Sequence, residues 1–308
     1  MDHVGKGFRK YMNDPKISKQ YQEMIESVHA DPAIQAFFDE HQELLSQEII
    51  SNSYSKLYEF LNEKNKLEQG KAGQNPGYEP HLALNAGYID VVYQPTAETV
   101  RKEKERELRG RIQSINVPKD VRSATMDKFL KTSDRSEVLN FAFDFIESYA
   151  DQPHAHHRGM YLYGPFGVGK TYLLGAIAYE LSLRGHLTTL IHYPTFTQEM
   201  KASIADNSVS GKIDVIKKAE VLMLDDIGAD INSTWVRDEV LGVILQYRMQ
   251  EELPTFFSSN LNFKELEEHF RVGNRGEDEP IKAKRLMERV LYLSKQVKMT
   301  GKNRRLEE

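Results

Sequence analysis

Between positions 17 and 65, apolar residues recur at steps of three and four. Ile34, Phe37, Phe38, Leu44, Leu45, Ile49 and Ile50 are followed by Leu57, Phe60 and Leu61. That spacing lines one face of successive helices. One helix is predicted to open at "DPAIQAFF", with Asp31 as its cap and Pro32 in its first position. The glycine- and proline-rich "GKAGQNPGYEP" then breaks the pattern. In "HLALNAGYIDVVYQP" apolar and polar residues alternate on either side of Asn85-Ala86-Gly87, which predicts a small hairpin. From Glu98 to Ile112 the chain reads "ETVRKEKERELRGRI", so charged that a solvated helix or linker is expected. A domain boundary is placed there. Residues 1–105 form a small, mostly helical domain, a charged linker runs to about 112, and residues 113–308 form a second domain.

Beyond the boundary short apolar runs alternate with amphipathic segments. Strands are predicted at "MYLYG", "TTLIHY", "VLMLDD", "TFFSSN" and "KQVKMTG". Helices are predicted at "TYLLGAIAYELSLRG", at "PTFTQEMKASI" opened by Pro194, at "STWVRDEVLGVILQYRMQE" capped by Ser233, at "FKELEEHF" and at "KAKRLMERVLYL". Strands separated by helices imply parallel crossovers and a sheet covered on both faces. The expected class is α/β, with a parallel five-stranded sheet flanked by helices.

Composition narrows the function. A length of 308 residues suits two domains. The net charge of −5 argues against a basic nucleic-acid binder as a whole. Yet Ile281 to Glu308 carries nine Lys and Arg against three Glu, a local footprint suited to phosphates or to a solvated tail. The chain has no cysteine, which excludes disulfides and thiolate zinc sites and fits a reducing compartment. No apolar run approaches the roughly 20 residues that span a bilayer. "MDHVGKGFRKYMND" has no apolar signal core, so a cytoplasmic protein without a membrane partner is expected.

Four elements carry chemistry. "GPFGVGKT", Gly164 to Thr171, is a glycine-rich loop between a buried strand and a helix. Its bare backbone N–H groups and the helix N-terminus suit anionic phosphates. The candidate binding residues are Gly164, Pro165, Phe166, Gly167, Val168, Gly169, Lys170 and Thr171. Lys170, expected as an exposed loop charge, would reach the β- and γ-phosphates, and Thr171 would place its hydroxyl on Mg²⁺. In "VLMLDD" two carboxylates end a central strand, where parallel sheets bind ligands. Asp225 would hold Mg²⁺, and Asp226 could orient the attacking water. "TFFSSN" ends in Asn260, whose amide could contact the γ-phosphate or that water. In "KAKRLMERV", Arg285 and Arg289 share one helix face and could be offered to a neighbouring subunit's nucleotide. His154, His156 and His157 are read as a flexible loop, His81 as no ligand, and Trp235 as packing.

With these elements in order, the chain resembles the AAA+ ATPases of the bacterial replicative helicase-loader group. "GMYLYGPFGVGKTYLLGAIA", "VLMLDDIGAD", "PTFFSSNLNFKELE" and "KAKRLMERVLYLS" carry the resemblance over residues 113 to 305. "INVPKDVRSATMDKF" resembles the lead-in that helps enclose adenine, and "GYEPHLALNAGYIDVVY" resembles the group's N-terminal domain. The resemblance implies ATP and single-stranded DNA binding by the C-terminal domain and a grip on the hexameric helicase by the N-terminal one. It implies a slow ATPase in the primosome that self-associates on the helicase. Gly164 to Thr171 become Walker A, Asp225 and Asp226 Walker B, Asn260 sensor 1, and Arg289 or Arg285 the arginine finger. Two departures stand out. Some relatives carry a cysteine-rich zinc site in the N-terminal domain; here no zinc is expected and the hairpin is left to packing alone. The chain also ends soon after its last predicted strand, which leaves no room for a helical lid and leaves sensor 2 unassigned.

Rival readings are a small-molecule P-loop kinase, a transposase-helper ATPase, and an adaptor that binds nucleotide without turnover. Residues 195–220 lack the arginine cluster of a kinase acceptor site. The N-terminal 100 residues argue against the transposase helper. Asp226 stands where many relatives have Glu, which suits weak hydrolysis.

Overall fold

A computed structural model describes residues 15–85, 87–115, 117–130, 132–230, 233–273 and 276–304. The N-terminal "MDHVGKGFRKYMND", Ala86 of the expected hairpin turn, Asn116 of the adenine lead-in and the last four residues of the basic stretch lie outside the described residues. The chain divides into two compact units, Met1–Lys104 and Glu105–Glu308.

The first unit consists of helices α1 (Pro15–Ala30), α2 (Pro32–Glu40), α3 (Gln47–Asn52) and α4 (Tyr54–Glu68), and of a hairpin, β1 (Tyr78–Asn85) and β2 (Tyr88–Pro95). Asp31 caps α2 by accepting from the N–H groups of Ala33 and Ile34, and Pro32 opens the helix. Of the residues that set the helical period, Ile34, Leu57, Phe60 and Leu61 join Val28 in a core with Ile89 and Val91 of the hairpin. Phe37, Phe38, Leu45 and Ile49 pack partly buried against it, whereas Leu44, past the end of α2, is exposed.

Packing is not all that holds this hairpin. Ser53, 1% exposed, donates its hydroxyl to Ile49 O at 2.7 Å and accepts from Ile89 N at 2.8 Å. Glu63, equally buried, accepts from Lys66 Nζ and from Gln74 N, both at 2.6 Å, which ties the glycine-rich break to α4. The Lys66 bond and the Gln74 N–H hold the Glu63 carboxyl below its ordinary pKa. Two buried side-chain acceptors, Ser53 at the junction of α3 and α4 and Glu63 on α4, therefore pin the sheet and its approach to the helices. Ser53→Ala is expected to strand the Ile89 N–H and lower the stability of the Met1–Lys104 fragment by about 1–3 kcal/mol. Urea unfolding followed by circular dichroism checks this, and an unchanged midpoint would sink the assignment.

The charged stretch is a helix, α5 (Ala97–Gly110), laced by the i,i+4 pairs Glu98–Lys102, Glu105–Arg109 and, just past its end, Glu107–Arg111. Next come β3 (Ile112–Ile115), α6 (Lys119–Arg122), α7 (Ser136–Asp151), β4 (Gly159–Tyr163), α8 (Lys170–Leu183), β5 (Thr188–His192), α9 (Tyr193–Ala202), α10 (Val209–Lys217) and β6 (Val221–Asp225). A π-helical segment, Val236–Leu241, leads into α11 (Gly242–Gln250), followed by β7 (Thr255–Ser259), α12 (Phe263–Arg271), α13 (Pro280–Leu293) and β8 (Ser294–Lys298).

The sheet has six strands, not five, in the order β3-β5-β6-β7-β4-β8, and every pairing is parallel. The extra strand is β3, only four residues long and directly after the charged helix. It has too few positions to show a period, and its partner β5 supplies the register, Ile112 opposite Thr188 and Ile115 opposite Ile191. The period of two sorts the other strands between two cores. Met160, Leu162, Leu190, Val221, Met223 and Phe256 face one, with α7 and α8. Tyr161, Ile191, Leu222, Leu224 and Phe257 face the other, with α9, α11 and α13. Covering both faces is what a parallel sheet requires, and it leaves the carboxyl ends of the strands for ligands.

Candidate functional site

β4 feeds directly into Gly164, and α8 begins at Lys170, so the loop between them wraps a helix N-terminus. Gly169 makes the junction in the left-handed region, φ +99°, which a side-chain-bearing residue resists. Val168 turns inward and is fully buried, anchoring the loop to the first core. Phe166, Gly167, Gly169, Lys170 and Thr171 line a cavity of about 370 Å³ at the carboxyl edge of the sheet. Gly164 and Pro165 contribute backbone carbonyls instead.

Lys170 is not the exposed charge that the motif suggested. It is 8% exposed, and its ammonium donates to Gly164 O and Pro165 O at 2.9 Å each and to Asn260 Oδ1 at 2.7 Å. Asn260, just past β7, donates its Nδ2 to Asp226 Oδ1 at 3.2 Å. One amide thus bridges the loop lysine and the second acid, which sets the amide's orientation. Residues 170, 226 and 260 meet only because β4, β7 and β6 are neighbours in the sheet.

Asp225 ends β6 and is 2% exposed. Ser258 Oγ donates to its Oδ1 at 2.5 Å and accepts from Asp226 N at 3.0 Å, and the Thr171 side chain is also hydrogen-bonded to it. Burial drives the Asp225 carboxyl above the ordinary carboxylate range and Asp226 adds to this, while the Ser258 and Thr171 bonds pull it back. A buried acid held high in this way gains from a cation. The oxygens of Thr171 and Asp225 are few and hard, as Mg²⁺ prefers when phosphates and water complete its shell. Among the described residues no cluster of three or more His, Cys, Asp or Glu forms a separate metal cage. Asp226 leaves the strand at φ +62°, a left-handed conformation that Asp tolerates better than most residues.

Pro118 and Val121, from the segment expected to enclose adenine, form an apolar side of the cavity with Tyr172. Tyr172, His192, which closes the end of β5 opposite Asp225, and Arg304, from the far end of the chain, carry no motif of their own. Ser258 was visible in "TFFSSN", but its bridge between the two acids depends on the β6–β7 pairing.

Arg285 and Arg289 do not line this cavity. Arg289 is half-buried on α13 and donates Nη1 to Gly242 O at 3.0 Å. Burial, then the adjacent Arg285, lowers its pKa. Arg285 is exposed and has no ion pair among the described residues. The histidine loop is tied down: His157 shares a hydrogen bond with Gln152 O, and His156 stacks on Tyr292. Trp235 packs against the second core. No helix among the described residues is long and apolar enough to cross a membrane.

The chain matches two family models. The primosomal protein DnaI N-terminus covers residues 1–93, and the bacterial DnaA ATPase domain covers residues 122–272. A crystal structure of DnaI superposes with a TM-score of 0.57 and 41% identity, over 64% of this chain and 99% of that one. A crystal structure of the DnaC helicase loader shares the fold at a TM-score of 0.51 and 18% identity, over 59% of this chain and 100% of that one. The replicative helicase loader DnaI of Bacillus subtilis (strain 168) is 37% identical over 99% of both chains. An identity of that size, sustained through the helical N-terminal unit and the six-stranded ATPase-type domain alike, means that the chain belongs to the DnaI family.

Proposed function

We propose that this protein is an ATP-dependent loader that binds the replicative DNA helicase and places it on single-stranded DNA during replication initiation and restart. One observation carries the reading: the 37% identity to a replicative helicase loader runs through 99% of both chains, so it includes the N-terminal unit as well as the nucleotide site. A transposase helper or a small-molecule kinase would need only the second.

In this reading the loop N–H groups and the N-terminus of α8 take the phosphates. Lys170 transfers its hydrogen bonds from the two loop carbonyls to phosphate oxygens. Thr171 and Asp225 hold Mg²⁺, which neutralises phosphate charge when bound. Asp226 orients the attacking water, and the Asn260 amide contacts the γ-phosphate or that water. Pro118, Val121 and Tyr172 offer the apolar wall an adenine ring needs. Asp where a longer Glu is common places the carboxylate farther from the water, which suits slow turnover. Arg289, or Arg285 one turn earlier, completes the site of a neighbouring subunit assembled on the helicase. The domain of residues 113–308 meets single-stranded DNA, and residues 1–105 meet the helicase.

Co-purification with the replicative helicase tests this with the full chain and the fragments Met1–Lys104 and Glu105–Glu308. The full chain and the first fragment are expected to bind, the latter without nucleotide. A folded first fragment that fails while the second binds would reverse the division of labour. Failure of the full chain to bind would remove the loader reading.

A further inference from the structure

The segment after β8 is strapped across the back of the phosphate loop. Met299 N donates to Tyr163 O at 2.8 Å, and Arg304 N donates to Gly167 O at 3.0 Å. Gly167 sits at φ +74°, which favours glycine, and the Asn303 side chain lies over its Cα, with Oδ1 1.7 Å from where a Cβ would stand. Gly301 leaves the corresponding room beside the Arg135 guanidinium.

Two arginines meet under this strap. Arg135 is 2% exposed, and its Nη2 donates to Val168 O at 2.9 Å in the loop. Its Nε and Nη1 are buried and have no hydrogen-bond partner among the described residues. Arg304 lines the cavity, and its Nη2 is likewise buried without a partner there. Burial lowers the Arg135 pKa and Arg304 lowers it further, while Asp134 raises it, and the guanidinium carbon stands over the Phe129 ring at 5.2 Å. The other buried arginines among the described residues are handled differently. Arg248 donates to Thr255 Oγ1 and to the carbonyls of Lys217, Ala219 and Pro254. Arg237 is paired with Asp238 and Glu279. Buried donors are costly to leave unpaired, and two adjacent guanidinium groups repel. An anion of several oxygens in the cavity, which Arg304 lines, would give that guanidinium acceptors and offset the repulsion.

We propose that Arg304, brought by the C-terminal strap, binds phosphate oxygens of the nucleotide in the same subunit, and that Arg135 is the positioning residue that holds loop and strap together. The proposal rests on the cavity being the nucleotide site. It makes nucleotide occupancy and the seating of the strap mutually dependent, because whatever binds the seated strap more tightly favours it.

The test is equilibrium binding by the full chain, with ATP, ADP and adenosine as competitors of a fluorescent ATP analogue at fixed Mg²⁺. Arg304→Ala is expected to weaken ATP and ADP about ten- to a hundredfold, the worth of one or two charge-assisted hydrogen bonds, and to leave adenosine unchanged. Arg304→Lys, which keeps the charge and the backbone bond to Gly167, should recover part of the loss. Parental ATP affinity in Arg304→Ala, alongside loss of binding in Lys170→Ala, would overturn the proposal and leave the nucleotide site standing. Equal losses for ATP and adenosine, with no recovery in the lysine variant, would reduce Arg304 to a packing residue and overturn it too. Parental ATP affinity in Lys170→Ala would fail the nucleotide site itself.

Discussion

Lys170→Ala is expected to reduce ATP affinity by about a hundredfold or more, while the Glu105–Glu308 unit stays folded. The ammonium is the one cation of the loop's own helix start, and it is already poised by three hydrogen bonds, to Gly164 O, Pro165 O and Asn260 Oδ1. Two charge-assisted bonds to phosphate, each worth about 1.5–3 kcal/mol, account for that loss. The fold should tolerate the change, because the loop is anchored independently by buried Val168 and by the Arg304 N–H on Gly167 O. The loop carbonyls can turn to water. Calorimetric titration with ATP, paired with a thermal melt, checks both halves. Parental affinity in a folded variant would take the ground from the nucleotide reading and from everything built on it.

The second large effect concerns turnover. Arg289→Ala should lower helicase-stimulated ATP hydrolysis by about a thousandfold, the lower end of what arginine fingers contribute, and leave ATP binding by the monomer nearly normal. The reasoning is geometric: Arg289 does not line its own chain's cavity, so it can touch nucleotide only in an assembly. Its guanidinium keeps one donor on Gly242 O, the one hydrogen bond it makes among the described residues, and this fixes its direction from α13. Mixing decides the matter. Arg289→Ala subunits combined with Lys170→Ala subunits should regain part of the hydrolysis, at interfaces that join an intact loop to an intact arginine. No recovery where the subunits demonstrably associate would return Arg289 to a structural role on Gly242. Arg285, exposed on the same helix, is measured in parallel as the competing finger.

Much of this molecule was legible in one dimension, and the reason is local. The i,i+3 and i,i+4 steps around Ile34 and Leu57, the cap at Asp31 and the runs "VLMLDD" and "TFFSS" are each decided within a few residues. A helix face or a doubly buried strand imposes its period on the sequence that forms it. The glycine loop was legible for the same reason, since a strand, a turn through φ +99° at Gly169 and a helix start are consecutive. β3 was not, because four residues after a charged helix show no period and take their pairing from β5.

What only the tertiary structure decided are the meetings between distant segments. The motif marked Lys170 as a loop charge; the neighbouring ends of β4 and β7 made it a buried donor to Asn260. Ser258 and Asp225 are 33 positions apart, and Ser53 and Ile89 are 36. Arg135 and Arg304 are farther still and carry no local signature, since an arginine's need for a partner shows only once it is buried. Periodicity records which face of an element is dry. It does not record which element will lie against that face, and the chemistry of this site is made by those encounters.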